Sequence, residues 1–429
     1  MRQLWQRLQG QGVGARLARG TLWAMGSAVL VRGLGLLGSM LAARLLGAEA
    51  FGQVGVVQQV VAMMGTLAGL GVGTTASRFI AESRTSSTER TGRILGATAV
   101  WSWGAALLGC AVLAATAPWL AAGPLASSAL TVPLLAALPL LLFSLVGQAL
   151  VGGLAGFEAF RASAVANLVS GLLGVPLQIL GAWWWGVPGF VLGLAAAEAV
   201  RWLVGQRALA RLMREAGIHW QRPQRAVLRE LLGFGLPSML ASMLVGPVLL
   251  VSFAVVGRQP GGYAEVGLFQ ATQQFRNLLI FVAVQSTGAI VPVLAAAHGS
   301  GDRAGVARGL RRAVVWAAAG SALLAAGLVV VAPWVMGGFG PTFGAHWSLL
   351  WWLALLAPVQ AVNTVGIAVL GGINRAWATL CATAGFALGA LTIVTWRPDA
   401  LGLVLSQGGG SVLAMLVIAW ALRHDWKAR

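Results

Sequence analysis

AVVWAAAGSALLAAGLVVVA, residues 313–332, decides the architecture. It is twenty residues without a charge, and Arg311 and Arg312 stand directly before it. An α-helix rises 1.5 Å per residue, so a run of this length crosses a hydrocarbon layer of about 30 Å. Lipid offers no partner to backbone N–H and C=O groups, and a helix satisfies them within the segment. Reading outward in both directions predicts twelve spans, at 20–46, 53–80, 94–117, 129–155, 162–182, 187–206, 231–257, 265–295, 313–332, 347–371, 376–396 and 401–422. The predicted fold is all-α, a polytopic membrane protein.

Composition agrees. The 429 residues are 58% hydrophobic and only 9% charged, whereas soluble domains run near a quarter charged. Twelve spans and short loops use nearly the whole length, which leaves no room for a sizeable soluble domain. The formal charge of +18 would point to nucleic acid in a soluble chain. In a membrane protein it reads as Lys and Arg collected in cytoplasmic loops, with no nucleic-acid partner implied. With the N-terminus inside, 24 basic residues fall on the cytoplasmic side and three (Arg44, Arg258, Arg397) on the outer side. Both termini are then expected in the cytoplasm. Residues 1–19 carry Arg2, Arg7, Arg16 and Arg19 with Leu4, Trp5 and Leu8 at helical spacing, a basic interfacial segment. They lack the apolar core and small-residue site of a cleaved signal peptide.

The longest hydrophilic stretch divides the chain. The expected organisation is an N-terminal six-helix bundle at 1–206, a cytoplasmic linker at 207–230 and a C-terminal six-helix bundle at 231–429. A faint repeat supports two halves. GQVGVVQQVV starts at Gly52 and GLFQATQQFR at Gly267, which aligns Gln58 and Gln59 with Gln273 and Gln274 at an offset of 215 residues. Parallel repeats of this kind recur in transporters, with substrate bound between them.

The remaining basic residues, Arg32 and Arg276, fall in mid-span. A charge at bilayer centre costs about 2.5–3.5 kcal/mol on insertion scales. Only one carboxylate, Glu198, lies well inside a span, and Arg201 three residues later is its natural partner. Two deep cations with so little counter-charge indicate a watery cavity that receives an anion; Arg capping a broken helix is the alternative. Gln270, Gln273, Gln274 and Asn277 follow i, i+3, i+4, i+7 and form one polar face beside Arg276, with Gln285 near it. Carboxamides donate and accept, which suits sugar hydroxyls; interhelical hydrogen bonding is the plainer reading. Gln58, Gln59, Gln148, Asn167, Gln178, Gln360 and Asn363 read as packing contacts. Glu198 is the candidate for ion coupling. Small-residue pairs at Gly152/Gly156, Gly189/Gly193 and Gly385/Gly389 permit close helix contact. Pro237 and Pro247 are candidate kinks. There is no catalytic set, no phosphate-binding Walker loop, no metal-ligand spacing and no cofactor motif.

Several stretches carry a family resemblance: ARLLGAEAFGQVGVVQQ (43–59), LAGLGVGTTASRFIAE (67–82), GQALVGGLAGFEAFRASAVANLVSGLLGVPLQ (147–178), LLGFGLPSML (231–240), AEVGLFQATQQFRNLLIF (264–281) and AIVPVLAAAHGSGD (289–302). The chain resembles the polysaccharide flippases, the Wzx-type O-antigen and oligosaccharide translocases. The resemblance implies two six-helix bundles around a central cavity, related to the MATE exporters and the lipid II flippases. It implies a substrate, an oligosaccharide linked to undecaprenyl pyrophosphate. It also implies a place, the bacterial cytoplasmic (inner) membrane, with polysaccharide (lipopolysaccharide) biosynthesis machinery as a partner. Arg32 and Arg276 would then meet the pyrophosphate and the amide face the sugars. A cation-coupled multidrug exporter is the nearest rival, and a membrane-bound polysaccharide-processing enzyme a more distant one. Spans 1 and 7 contain no carboxylate, which disfavours export of cations.

Overall fold

A computed structural model describes residues 13–69, 71–84, 86–221, 227, 231, 244–281, 283–284, 287, 303–372 and 375–427. The side chains of 13–29 are not among those described. Gln285, Pro237, most of 222–243 and nearly all of 282–302 lie outside the described residues, and with them parts of expected spans seven and eight.

The described residues are all-α. In chain order the helices are α1 (Val13–Gly69), α2 (Val72–Ser83), α3 (Thr88–Ala122), α4 (Thr131–Ala136), α5 (Leu138–Gly156), α6 (Phe160–Glu215) and α7 (Val245–Gly257). They continue as α8 (Gly262–Leu279), α9 (Arg303–Gly337), α10 (Pro341–Gly344), α11 (Ser348–Gly372), α12 (Ala376–Trp396) and α13 (Ala400–Lys427). Eight of the helices are long and apolar enough to cross a membrane. Two of those eight are each a pair of spans joined end to end. In α1 the break is Gly47, at φ 80°. In α6 it is Trp185 and Gly186, the latter at φ 60°. Positive φ is open to glycine and costly for residues with a Cβ, so these two glycines set where one span ends and the next begins. The shorter apolar helix α7 and the amide-bearing α8 account for the described parts of spans seven and eight.

Apolar side chains on the outside mark the lipid-facing surface. Leu323 is 76% exposed, Trp396 88% and Trp184 77%. In water such side chains would favour burial; in a bilayer they face acyl chains. The run Trp183–Trp185 sits at the α6 break, where interfacial indoles belong.

The chain forms two compact units. The first contains the described residues of 1–42, 64–118 and 131–239; the second those of 43–63, 119–130 and 240–429. These units are not coextensive with the expected halves, because 43–63 and 119–130 group with the second unit. Helix α6 continues to Glu215, into the segment 207–230. Its sequence explains this, since Leu209 and Met213 are buried four residues apart while Arg207, Arg211 and Arg214 are exposed. That is an amphipathic helix leaving the lipid, not the end of one.

Within the first unit, Ile80, Ile94, Leu95, Leu150, Leu154, Leu209 and Met213 form one core. Its helices approach at small residues. A Cβ on Gly152 would lie 2.1 Å from the Gly73 carbonyl, and one on Gly189 1.9 Å from that of Gly181. The Ser170 hydroxyl donates to the Ala197 carbonyl across the α6 hairpin at 2.8 Å. In the second unit, α9 packs on α11 through Ala313, Ala317, Ala361 and Val365, and α12 on α13 where Gly389 meets Gly410.

The repeat noticed in sequence meets itself in this second unit. A Cβ on Gly52 would lie 1.8 Å from the Tyr263 carbonyl oxygen and 2.8 Å from the Gly267 nitrogen. A Cβ on Gly267 would lie 2.1 Å from the Ala48 carbonyl oxygen and 3.2 Å from the Gly52 nitrogen. The pairs exchange under the 215-residue offset, as Ala48 corresponds to Tyr263 and Gly52 to Gly267. Such reciprocity is what a local two-fold relation between α1 and α8 produces.

Candidate functional site

Helix α8 carries the site. It begins after Gly261, which adopts φ 71°, and buries Tyr263, Val266, Phe269, Thr272 and Phe275 on one side. The remaining side holds the amides. Gln270 and Gln273 are half-buried, while Gln274 and Asn277 are exposed. Gln270 lies over Gly55 of α1, where any Cβ would collide with its side chain at 2.2 Å. Gln270 is therefore a packing residue of the α1–α8 crossing. The Oε1 atom of Gln273 is buried and accepts no hydrogen bond among the described residues.

Arg276 is half-buried. Its Nε donates to Oε1 of Gln360 on α11 at 2.5 Å. Gln360 is 1% exposed. The partner is thus a neutral carboxamide, and Arg276 joins no ion pair among the described residues. Gln360 Nε2 and Asn363 Oδ1 are buried without a partner among the described residues. Gln273 and Arg276 are one turn apart on α8, and Gln360 and Asn363 one turn apart on α11. The two helices present a buried polar patch with unused hydrogen-bonding capacity, in a segment whose surroundings are apolar. Unused capacity in such a place is costly unless a ligand or water meets it.

The other sequence candidates belong to the first unit. Arg32 is on the first run of α1 with its side chain exposed. Glu198 is on α6 and accepts a hydrogen bond from Arg201 Nη2 one turn later. Gly147 of α5 leaves the room for that guanidinium, since its Cβ would stand 3.2 Å from Arg201 Nη2. The first unit also encloses a pocket of about 50 Å³ lined by Trp103, Trp202 and Trp220 with Thr98, Ser102 and Gln206; neither Arg32 nor Glu198 lines it.

Gln360 and Asn363 were legible in sequence only as mid-span amides. Nothing in their spacing separates them from Gln59, whose Nε2 donates to the Gly246 carbonyl at 3.2 Å as an ordinary packing contact. Arg44, expected on the outer side, caps a helix end: its Nε donates to the Gly338 carbonyl at 2.7 Å.

The described residues thus form an all-helical, multi-pass architecture with a basic residue and amide groups of unused hydrogen-bonding capacity inside one unit. Known structures agree. The chain is similar to an inward-facing multidrug resistance MATE family transporter of the MOP superfamily, at 17% identity and TM-score 0.76, covering 92% of this chain and 96% of that one. It is similar to the lipid II flippase MurJ in an inward closed conformation, at 14% identity and TM-score 0.74, covering 94% and 87%. It is also similar to a MOP superfamily transporter from Pyrococcus furiosus described as having reversed pocket polarity, at 18% identity and TM-score 0.67, covering 98% and 97%. Among curated proteins nothing matches. Residues 17–298 match the polysaccharide biosynthesis protein family, and the chain belongs to that family.

Proposed function

We propose that this protein is a flippase for an oligosaccharide carried on undecaprenyl pyrophosphate, moving it from the inner to the outer leaflet of the bacterial cytoplasmic membrane for surface polysaccharides such as O-antigen. The observation that carries this reading is Arg276, a cation inside a spanning unit whose partner is a neutral amide. Its charge stays uncancelled and is available to a diphosphate. Arg32 offers a second cation on the first unit. Gln273, Gln274 and Asn277 extend the polar face toward the sugars, with Gln270 engaged against Gly55. We read 1–206 and 231–429 as two halves that alternate access by rocking, with both termini cytoplasmic. Glu198 is the candidate for ion coupling, and its pairing with Arg201 favours a structural role.

The MATE-type exporter has a specific point in its favour, the fold likeness to a multidrug transporter. The charge argues the other way, because cationic drugs would meet Arg276 and not a carboxylate. The deciding experiment depletes the protein and extracts lipid-linked glycans. Accumulation of an undecaprenyl-linked oligosaccharide on the inner leaflet is the expected result. An unchanged lipid-linked pool together with heightened sensitivity to cationic drugs would transfer the assignment to the exporter.

A further inference from the structure

We infer that Gln360 is the positioning residue of an oxyanion subsite whose charge is Arg276, and that the group bound there is a phosphate or diphosphate ester. The inference rests on the proposed reading of Arg276 as a diphosphate contact and adds a residue on a different helix.

A guanidinium Nε only donates, so the atom of Gln360 facing it is the carbonyl oxygen. This fixes which way the amide points and turns Nε2 away from Arg276 Nε. Nε2 is buried and has no acceptor among the described residues. Arg276 has spent Nε on Gln360, and no other hydrogen bond of its side chain is present among the described residues. The pair therefore presents the Nη hydrogens of one residue and the Nε2 hydrogens of the other, all donors, with one positive charge. A group with several acceptor oxygens and negative charge fits that set; a cation or an apolar group does not. Gln360 also locks the guanidinium plane through a buried contact, and a preorganised donor array binds an anion better than a free side chain does.

The identity of residue 360 is the chemical test. Glutamate in its place would hold Arg276 in the same position, by a stronger bond. It would also cancel the charge and replace the Nε2 donor with an oxygen that repels phosphate. A merely structural Gln360 predicts that Gln360→Glu is harmless. An oxyanion subsite predicts that Gln360→Glu folds well and stops binding.

The experiment uses the full-length protein in lipid nanodiscs, titrated with inorganic pyrophosphate and with geranyl pyrophosphate and followed by tryptophan fluorescence and thermal melting. Wild type should bind both, and Gln360→Glu should melt no lower than wild type yet bind each at least tenfold more weakly. Gln360→Leu, which frees the guanidinium but keeps its charge, should fall between them. Equal binding by wild type and Gln360→Glu, within twofold, would overturn the role of Gln360 while leaving the diphosphate contact standing. Failure of wild type to bind either probe would overturn both. Geranyl pyrophosphate bound at least as tightly as the inorganic ion identifies a lipid headgroup. Preference for the inorganic ion supports the subsite with free phosphate as its source and overturns the flippase reading.

Discussion

At the scale of single residues, the informative contact is Arg276 with Gln360. Its energetics are asymmetric. Removing one member of a buried polar pair leaves the other unsatisfied, at about 1–3 kcal/mol, whereas replacing both with apolar groups of similar shape is close to neutral. Arg276→Met alone should therefore lower the melting temperature, and Arg276→Met with Gln360→Leu should recover most of the loss. Transport should respond differently, falling at least tenfold in both variants, because the cation is gone in both. Thermal melting of purified protein, set beside an assay for inner-leaflet glycan accumulation, separates the two effects. Transport restored along with stability would mean that Arg276 serves only the fold. Arg44 is the contrast: it donates to the backbone carbonyls of Gly337 and Gly338 and so has a structural explanation that Arg276 lacks.

At the scale of elements, helix contacts are set by where side chains are missing. Helix association in lipid gains little from hydrophobicity and depends on close packing and polar contacts. The crossing of α1 and α8 is the sharpest instance, with Gly52 against the Tyr263 carbonyl and Gly267 against that of Ala48. A methyl at Gly52 would stand 1.8 Å from a carbonyl oxygen, so the helices must separate to admit it. Gly52→Ala should destabilise the protein by about 1–3 kcal/mol, the usual cost of overpacking. Gly267→Ala should do the same, and the double variant should cost less than the sum because one displacement serves both. Melting curves of the three variants test this; strict additivity would mean that the two glycines do not share a contact. Capping contributes at a neighbouring element, where Glu265 of α8 accepts from the Ala400 backbone N–H at 2.8 Å and so ties the start of α13 to α8.

At the scale of the whole molecule, charge bears on orientation. The basic residues, 24 against three on opposite sides of the predicted spans, predict both termini and the 207–230 segment in the cytoplasm. With Cys110 and Cys381 replaced by alanine, single cysteines at Gly217 and at Gln259 should report opposite sides. An impermeant maleimide added to intact cells should label the second and spare the first. Labelling of both from outside, or of Gly217 alone, would overturn the orientation. The segments 43–63 and 119–130 group with the second unit, so chain order alone does not partition the packing.

The sequence by itself determined that the chain is all-α and membrane-spanning, because uncharged runs such as 313–332 leave the backbone no alternative in lipid. It also placed the amide face on one helix, which follows from local periodicity; that two of the span junctions fall at Gly47 and Gly186 is seen only in the structure. Helix α12 runs over 376–396, the range read from hydropathy. Over 207–215 hydropathy falls while the amphipathic helix continues to Glu215, a helical extension that hydropathy by itself does not report. Only the tertiary structure decided which amides matter. Sequence set Gln270 in the amide face and read Gln360 and Gln59 as packing contacts; in the structure Gln270 is pressed on a glycine, Gln360 holds an arginine and Gln59 bonds a carbonyl. The difference lies in what a second helix brings within 3 Å, and no one-dimensional period encodes that. The same holds for Gly52 and Gly267, whose likeness was visible as a repeat but whose contact required two distant segments to meet.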